Sequence, residues 1–549
     1  MSAADSLRVR AVDETRELPL APADLAAANT SMLTDFLAKR GLALNTRCGG
    51  RGLCSGCLVE IERAGGKHEQ ARACRMPLAE AVGAAAKNAV ISIPSRSLLK
   101  QQPSVVDDFR VNIPMARDPL VAGARYGAAV DVGTTTVAVI VCDFENGKML
   151  ARASAFNAQI RFGEDVLTRI QYCCTNGAPA VRKLQHALMA ETIQPLIEKA
   201  CAKAGIAKGD VGAIVIAGNT TMQHLAAGVD PAPLGAHPFT PAFLEHRVYS
   251  AEALGLAWRG LPVHLLPGLS SYVGADLTAG LIATGLVYED GPSLLVDVGT
   301  NGEIIAKTGD RIVGCATAAG PAFEGAGLSC GMRAARGAIE RVRMNVNAGG
   351  AFEMRLDVIG SGENSAPLKP IGMCGSAYID FLWEARRAGL LMPNGRFAPR
   401  EKLPEGVCVE VDEHGKKFRI HEHGASEPLW ISEMDVVKLL QAKAAIGAGI
   451  CTLLDVLGIK ARDIKRLYLA GGFGMHLSLE HAIGCGLLPG FAPEQIEVVG
   501  NTSLGGAYLA MNDSSLLDEM ETARKRFEAV ELNLHPNFED AYIDNLMLE

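Results

Sequence analysis

Apolar and polar positions change period several times along this chain. Residues 7–12 alternate as a strand, residues 17–20 predict a second, and residues 32–40 repeat at helical spacing. Residues 58–62 and 89–93 add two more short strands. Further on, two stretches echo each other: AVDVGTTTVAVI at 129–140 and LLVDVGTNGEII at 294–305. Each is an apolar, β-branched run ending in Asp-Val-Gly-Thr, followed by a second apolar run. That pattern predicts a buried strand, a tight turn and a returning strand. The turn exposes a carboxylate, hydroxyls and backbone N–H groups, and such a turn can face a phosphate and its magnesium ion.

Around this pair, residues 157–170 introduce a helix and residues 181–203 continue as a long amphipathic one. Residues 211–217 form an apolar strand ending at Gly218-Asn219-Thr220-Thr221, and PGLSSYVGAD at 267–276 opens onto another helix. An insertion at 340–430 holds strand-like pieces at 351–358 and 407–411, with a glycine-rich turn into a helix at 371–380 between them. Ser432-Glu433-Met434-Asp435 resembles a capping box, and Val436, Leu440, Ala444, Gly447, Cys451 and Leu454 make one stripe of a long helix. That helix leads to a strand at 466–470, which runs into Gly471-Gly472-Phe473-Gly474. There the missing Cβ atoms let backbone pack flat against a planar base or ribose. The alternation of strands and helices predicts an α/β architecture.

With 549 residues, the chain holds roughly three or four domains. A hydrophobic content of 48% with 21% charged residues excludes collagen, coiled coil and extended disorder. The net charge of −8 argues against a broad nucleic-acid surface, which needs clustered Lys and Arg. The N-terminus carries no apolar h-region, and no uninterrupted apolar run reaches the 18 or so residues of a membrane span. The expectation is a cytoplasmic protein without a membrane partner, in which the 14 cysteines are ligands or free thiols rather than disulfides.

Four cysteines stand out. Cys48, Cys54 and Cys57 are spaced C-x5-C-x2-C, and Cys74 follows after sixteen intervening residues. One inserted residue separates this from the plant-type [2Fe–2S] pattern. Gly49, Gly50, Gly52 and Gly56 let the backbone wrap closely and direct N–H groups at sulfur. Zinc is the competing occupant of any four-cysteine set, but structural zinc usually takes two close pairs and here there is one. A β-grasp [2Fe–2S] ferredoxin domain at 1–95 follows from the cluster reading, and the proline-containing, aperiodic residues 96–124 form a linker.

The order of the later motifs, two Asp-Val-Gly-Thr turns and then Gly-Gly-Phe-Gly, resembles the two phosphate motifs and the adenosine motif of the superfamily uniting sugar and acetate kinases, heat-shock chaperones and actin (ASKHA). The resemblance implies two ribonuclease-H-like halves closing on ATP, here 125–290 and 291–549. In this reading Asp131 and Asp297 position Mg2+, directly or through water. Gly133, Thr134, Thr135 and Thr136, with Gly299, Thr300 and Asn301, meet the phosphates, and Gly471, Gly472 and Gly474 seat adenosine. Glu303 or Glu324 orients the attacking water, and the sequence does not choose between them. A G-x4-G-K-[ST] loop is absent, and GSGENS at 360–365 lacks the third glycine of a dinucleotide fingerprint. Gly327-Leu-Ser329-Cys-Gly331 imitates a nucleophile elbow with no apolar strand before it, so it reads as a structural turn. His421-Glu-His423 lacks a third ligand at helical spacing and reads as a surface hairpin.

The whole chain resembles the reductive activators of corrinoid-dependent methyltransferases, the corrinoid activation or regeneration proteins. The strings that carry this are CGGRGLCSGC, DVGTTTVA, FGEDVLTRI, GNTTMQHL, SSYVGAD, LLVDVGTNGEI, ATAAGPAFEGA, YLAGGFG and VGNTSLGGAYLA. The resemblance implies rescue of a corrinoid protein whose cobalt(I) has been oxidised to inactive cobalt(II). One electron passes from a reductase through the cluster to cobalt, ATP hydrolysis assists, and the family commonly dimerises through its C-terminal domain. Two rivals remain at this stage: an ATP-driven electron injector for another low-potential enzyme, and a nucleotide-gated redox sensor.

Overall fold

The structure is a computed structural model that describes residues 6–11, 14–42, 44, 52, 57–63, 67–85, 89–93, 97, 109–113, 118–163, 165–299, 301–325, 327–332, 334, 336–361, 368–413, 415–421 and 428–548. Its chain divides into two compact units, 1–289 with 502–526, and 290–501 with 527–549.

The first unit begins with a five-stranded sheet of order β2-β1-β5-β3-β4, built from β1 (Ser6–Ala11), β2 (Glu14–Pro19), β3 (Leu58–Arg63), β4 (Lys67–Arg72) and β5 (Val90–Ile93). Strands β1 and β5 run parallel, and the other neighbours are antiparallel. Three short helices, α1 (Pro22–Ala26), α2 (Leu33–Ala38) and α3 (Leu78–Ala85), accompany it. Leu7, Val9, Phe36, Val59, Ile61 and Ile91 bury a core of their own.

The larger sheet of the same unit comprises β6 (Tyr126–Val132), β7 (Thr136–Asp143), β8 (Lys148–Phe156), β9 (Val211–Gly218), β10 (Arg247–Ser250) and β11 (Pro262–Leu265), in the order β10-β11-β9-β6-β7-β8. Alternation along β6 and β7 sends Val130, Val132, Val137 and Val139 to one core and Ala129, Ile140 and Cys142 to another, so both faces are covered. The covering helices are α4 (Val166–Asn176), α5 (Ala178–Leu188), α6 (Gln194–Ala204), α7 (Thr220–Ala227) and α8 (Ala275–Ala283). The long helix expected at 181–203 is interrupted by a π-helical turn, Met189–Ile193, just before Pro195. Proline brings no N–H to the ladder, and the Thr192 hydroxyl donates to the Ala187 carbonyl at 2.8 Å inside that turn.

The second unit repeats the plan. Strands β12 (Ser293–Val298), β13 (Gly302–Thr308) and β14 (Arg311–Thr317) form an antiparallel meander. Two small sheets follow, from β15 (Ala338–Val346), β16 (Phe352–Val358) and β17 (Gly372–Met373), and from β18 (Val409–Asp412), β19 (Gly415–His421) and β20 (Leu429–Ser432), with helix α9 (Gly375–Arg387) between them. Helix α10 (Glu433–Leu457) is capped by Ser432 and Asp435 as expected. It is long and apolar enough to cross a membrane by length and composition, yet 78% of that apolar window is buried inside the fold. Strands β21 (Arg466–Ala470) and β22 (Ile496–Gly500) then pair parallel beside β12, with α11 (Leu479–Gly484) between them.

At Thr502 the chain returns to the first unit as α12 (Thr502–Asn512) and α13 (Ser515–Arg526), before β23 (Phe527–Ala529) and α14 (Phe538–Asn545) rejoin the second. Read from the meander outwards, both large sheets have the strand order 3-2-1-4-5: β8-β7-β6-β9-β11 and β14-β13-β12-β21-β22. In each, the first hairpin carries an Asp-Val-Gly-Thr turn.

Candidate functional site

In the first unit the turn between β6 and β7 spans Gly133 to Thr136, because Val132 pairs with Val137. Gly133 donates its N–H to the Thr136 carbonyl at 3.0 Å, and a Cβ at 133 would lie 2.5 Å from that oxygen. The other turn carbonyls are also engaged. Asn157 donates from Nδ2 to the Gly133 carbonyl at 3.0 Å and from its backbone N–H to Thr135 at 2.9 Å. Arg169 donates from Nη2 to the Thr134 carbonyl at 2.5 Å. Each of the turn's four carbonyls thus accepts a hydrogen bond from within the fold, which draws the carbonyl dipoles towards their donors.

Arg169 is fully buried and also donates to the Gly163 carbonyl and to Gln159 Oε1, both at 3.0 Å. Burial pulls its guanidinium down to about 10, which leaves it charged at neutral pH behind the turn. Asn219 donates from Nδ2 to the Thr134 hydroxyl at 3.2 Å while its Oδ1 caps α7 through the Met222 N–H. Gly274, which precedes α8, sits so close that a Cβ there would lie 2.5 Å from the Asn219 Cα. On α12, Ser503 donates to Asp131 Oδ1 at 2.7 Å. The N-termini of α7, α8 and α12 therefore gather around residues 131–136, each adding partial positive charge.

In the second unit Asp297 of β12 lies opposite Glu303 of β13 and beside Ala470 of β21. Directly opposed residues of an antiparallel pair point to the same face, so the two carboxylates share one. The corresponding partner of Asp131 is Ala138. Glu303 is 9% exposed, and its charge, after burial itself, helps drive the neighbouring Cys315 thiol far above its ordinary value. Gly299 donates its N–H to the Asn301 carbonyl at 2.9 Å. Thr300 lies outside the described residues, as does the side chain of Glu324.

Gly471 has φ +91°, donates to the Gly500 carbonyl at 3.0 Å, and would place a Cβ 2.5 Å from the Val298 carbonyl and 3.0 Å from Asp297 Oδ1. Only glycine brings the turn after β21 against the Asp297 carboxylate. At Gly472 a Cβ would meet nothing within 4 Å, and at Gly474 it would meet Leu469 at 3.2 Å. Between them Phe473 stacks on Phe323 with centroids 5.2 Å apart. The three glycines thus play different parts: close approach, open surface, and backing on the strand.

At the N-terminal sheet the β3–β4 register pairs Leu58 with Arg72, and Ala73 donates its N–H to the Cys57 carbonyl at 3.0 Å. Cys57 and Cys74 are consequently buried at the same end of that hairpin. Gly52, φ +75°, packs on Arg75, where a Cβ would lie 2.7 Å from Cγ. This brings a residue between Cys48 and Cys54 next to Cys74's neighbour; Cys48 and Cys54 lie outside the described residues. Among the described residues no group of three or more metal-ligating side chains converges. Of the set-aside motifs, the Ser329 N–H donates to Asp435 Oδ1 at 2.9 Å within a turn and His421 ends β19, while Glu422 and His423 lie outside the described residues.

Sequence reasoning did not assign Asn157, Arg169, Asn219 or Ser503 to the site. All but Asn157 lie in strings that carry the family resemblance, but their signal is polar side chains at strand ends and helix starts, with no period of its own.

Two mixed α/β sheets, each with an Asp-Val-Gly-Thr hairpin, define a body of the ASKHA class. A family model described as the C-terminal domain of RACo, the ASKHA domain, matches residues 291–549, and one described as the RACo middle region matches 126–289. The chain is 30% identical to the corrinoid activation enzyme RamQ of Eubacterium limosum, covering 96% of this chain and 98% of that protein. It is 28% identical to the Co(II) methylated amine-specific corrinoid protein reductase of Methanosarcina barkeri, covering 73% and 72%. Among solved structures it matches a reductive activator for corrinoid, iron-sulfur protein with a TM-score of 0.68 and 29% identity, over 99% and 98% of the two chains. The chain belongs to the RACo family of corrinoid-protein reductive activators.

Proposed function

We propose that this protein reactivates a corrinoid protein of a methyltransferase system by returning one electron to its cobalt, converting cobalt(II) to cobalt(I), with ATP hydrolysis assisting. The observation that carries this reading is similarity over nearly the full length to proteins named for corrinoid activation. The N-terminal sheet serves as a ferredoxin-like electron carrier, 1–95, joined to the rest of the chain by 96–124, where Phe109, Val111 and Ile113 correct the expectation of a linker without core by packing with α8 and α12.

Cys48, Cys54, Cys57 and Cys74 would hold a [2Fe–2S] cluster. The fit rests on the buried approach of Cys57 to Cys74 and on the Gly52 contact with Arg75. When bound, such a group supplies one-electron chemistry at about −400 mV. Each 59 mV by which cobalt(II) is harder to reduce costs about a factor of ten in equilibrium. Nucleotide shifts that balance only through unequal binding to two conformations of the complex.

The chain's own residues account for nucleotide handling. Gly133 closes the turn so that Thr134–Thr136 present hydroxyls and N–H groups to phosphate, backed by Arg169, and Asp131, oriented by Ser503, ligands magnesium directly or through water. In the second unit Gly299, Thr300 and Asn301 take the matching phosphate-binding role, Asp297 takes the metal-positioning role, and Gly471, Gly472 and Gly474 seat adenosine. Of the two candidates for orienting water, the strand pairing with Asp297 favours Glu303 over Glu324. The electron donor is a separate reductase, and the protein works in the cytoplasm as a homodimer.

Anaerobic reconstitution with iron and sulfide tests the electron carrier. Two irons per chain and a reduced-state EPR signal typical of a [2Fe–2S] centre are expected. Zinc retention in place of iron, or a four-iron centre, would contradict it.

A further inference from the structure

Helix α9 places two carboxylates one turn apart, Asp380 at 0% and Glu384 at 5% exposure. Asp380 Oδ2 accepts the Val342 N–H at 3.2 Å, and Glu384 Oε2 accepts the Met344 N–H at 3.4 Å and Arg387 Nη2 at 2.8 Å. One imidazole lies between them: His481 of α11 has Nδ1 2.6 Å from Asp380 Oδ1 and Nε2 3.5 Å from Glu384 Oε1. Arg341 Nη1 approaches Asp380 Oδ1 at 3.7 Å from the half-exposed side. Buried carboxylates are tolerated when paired, and because His481 reaches both of them it ties α9 to α11. The grip is close: a Cβ at Gly484, one turn beyond His481, would lie 2.5 Å from the Trp383 ring.

The same helix meets the glycine turn at its other end. A Cβ at Gly375, the first residue of α9, would collide with the Phe323 carbonyl and lie 3.1 Å from Phe473 Cδ2. Phe473 stands inside Gly471–Gly474, and α11 starts five residues after that turn. Helix α9 therefore touches the turn directly at Phe473 and restrains its downstream chain at His481.

We propose that His481 is a positioning residue for the glycine turn Gly471–Gly474, fixing its exit through Asp380 and Glu384 so that the turn keeps the shape that accepts an adenine nucleoside. This rests on reading that turn as the adenosine seat. It assigns His481 no contact with the phosphates, and therefore separates recognition of the nucleoside from recognition of the polyphosphate.

Titration calorimetry on the full chain tests it, with MgATP, MgADP and inorganic tripolyphosphate. His481→Phe is expected to weaken ATP and ADP by about ten-fold while tripolyphosphate changes less than about two-fold. His481→Asn, which keeps a donor towards Asp380 and loses the reach to Glu384, should fall between, and Arg341→Ala should bind all three as wild type does. Wild-type affinity for ATP and ADP in His481→Phe overturns the proposal, and so does an equal loss for tripolyphosphate. Should His481→Phe fail to fold, His481→Asn decides by the same comparison. Wild-type protein that binds ATP no tighter than tripolyphosphate would instead overturn the adenosine reading of the turn.

Discussion

Ser503 donates a 2.7 Å hydrogen bond to Asp131 across 372 residues of sequence. The hydroxyl stands in the first turn of α12, so the carboxylate is oriented by a side chain and faces a helix N-terminus at once. A carboxylate so fixed keeps one orientation, as positioning a metal or a metal-bound water requires. Ser503→Ala should raise the magnesium concentration needed for half-maximal ATPase several-fold, with little change in thermal stability. An unaltered magnesium dependence would remove Ser503 from the site.

Arg169 is expected to matter for both folding and binding. Arg169→Met leaves the Thr134 and Gly163 carbonyls without the guanidinium donor and Gln159 Oε1 with Asn157 Nδ2 at 3.3 Å, at about 1–3 kcal/mol for each buried group left unpaired. Denaturant unfolding should show a loss of about 3–5 kcal/mol in total, because surrounding groups relax in part. Arg169→Lys keeps the charge and loses the fork, so it should recover only part of this stability.

Asp297 and Glu303 should separate in kinetics. Glu303→Gln is expected to lower ATP hydrolysis by about 10²–10⁴-fold with ATP affinity nearly retained, as for loss of a group that orients water. Asp297→Asn should raise the magnesium requirement, and the visible spectrum of the iron-loaded protein should survive both changes. Undiminished hydrolysis in Asp297→Asn would take that carboxylate out of the proposed role.

Acid should loosen the first unit through a histidine pair. His264 is buried, its Nδ1 lies 3.1 Å from His246 Nε2, and its own Nε2 is among the buried atoms without a hydrogen-bond partner. Burial, followed by the charge of His246, lowers His264 to about 4. Burial likewise lowers His246, with Glu521 opposing. A folded pKa below the unfolded value of about 6.5 means the unfolded chain binds the proton first. Stability is therefore whole above pH about 6.5 and falls as the pH drops towards about 4, by up to about 3 kcal/mol for His264. Unfolding of His264→Phe against pH should show a flatter acid limb than wild type.

The two hairpins were legible because strand, turn and returning strand are adjacent in sequence, and a period of two with glycine and threonine between specifies them locally. The capping box at Ser432–Asp435 was legible for the same reason. What escaped is long-range. Nothing in the amphipathic pattern of Thr502–Arg526 says which core it joins, and it packs with the first unit although both its flanks belong to the second. Arg169 sits on a helical position that a pattern reading sends to solvent, yet it is fully buried because the carbonyls of two turns converge there. The difference between the echoing turns was also hidden: Ala138 faces Asp131 where Glu303 faces Asp297, a matter of register that turn lengths alone decide.

Electron delivery to cobalt is the central claim, and EPR of a cobalt(II) corrinoid protein mixed anaerobically with this protein, a reductant and MgATP tests it most directly. The cobalt(II) signal should disappear with substoichiometric protein as cobalt(I) absorbance grows, should persist when ATP is withheld, and should persist with Cys57→Ala although that variant still binds nucleotide. Cobalt(II) that survives with every component present, or that is reduced equally well by Cys57→Ala, would contradict the account.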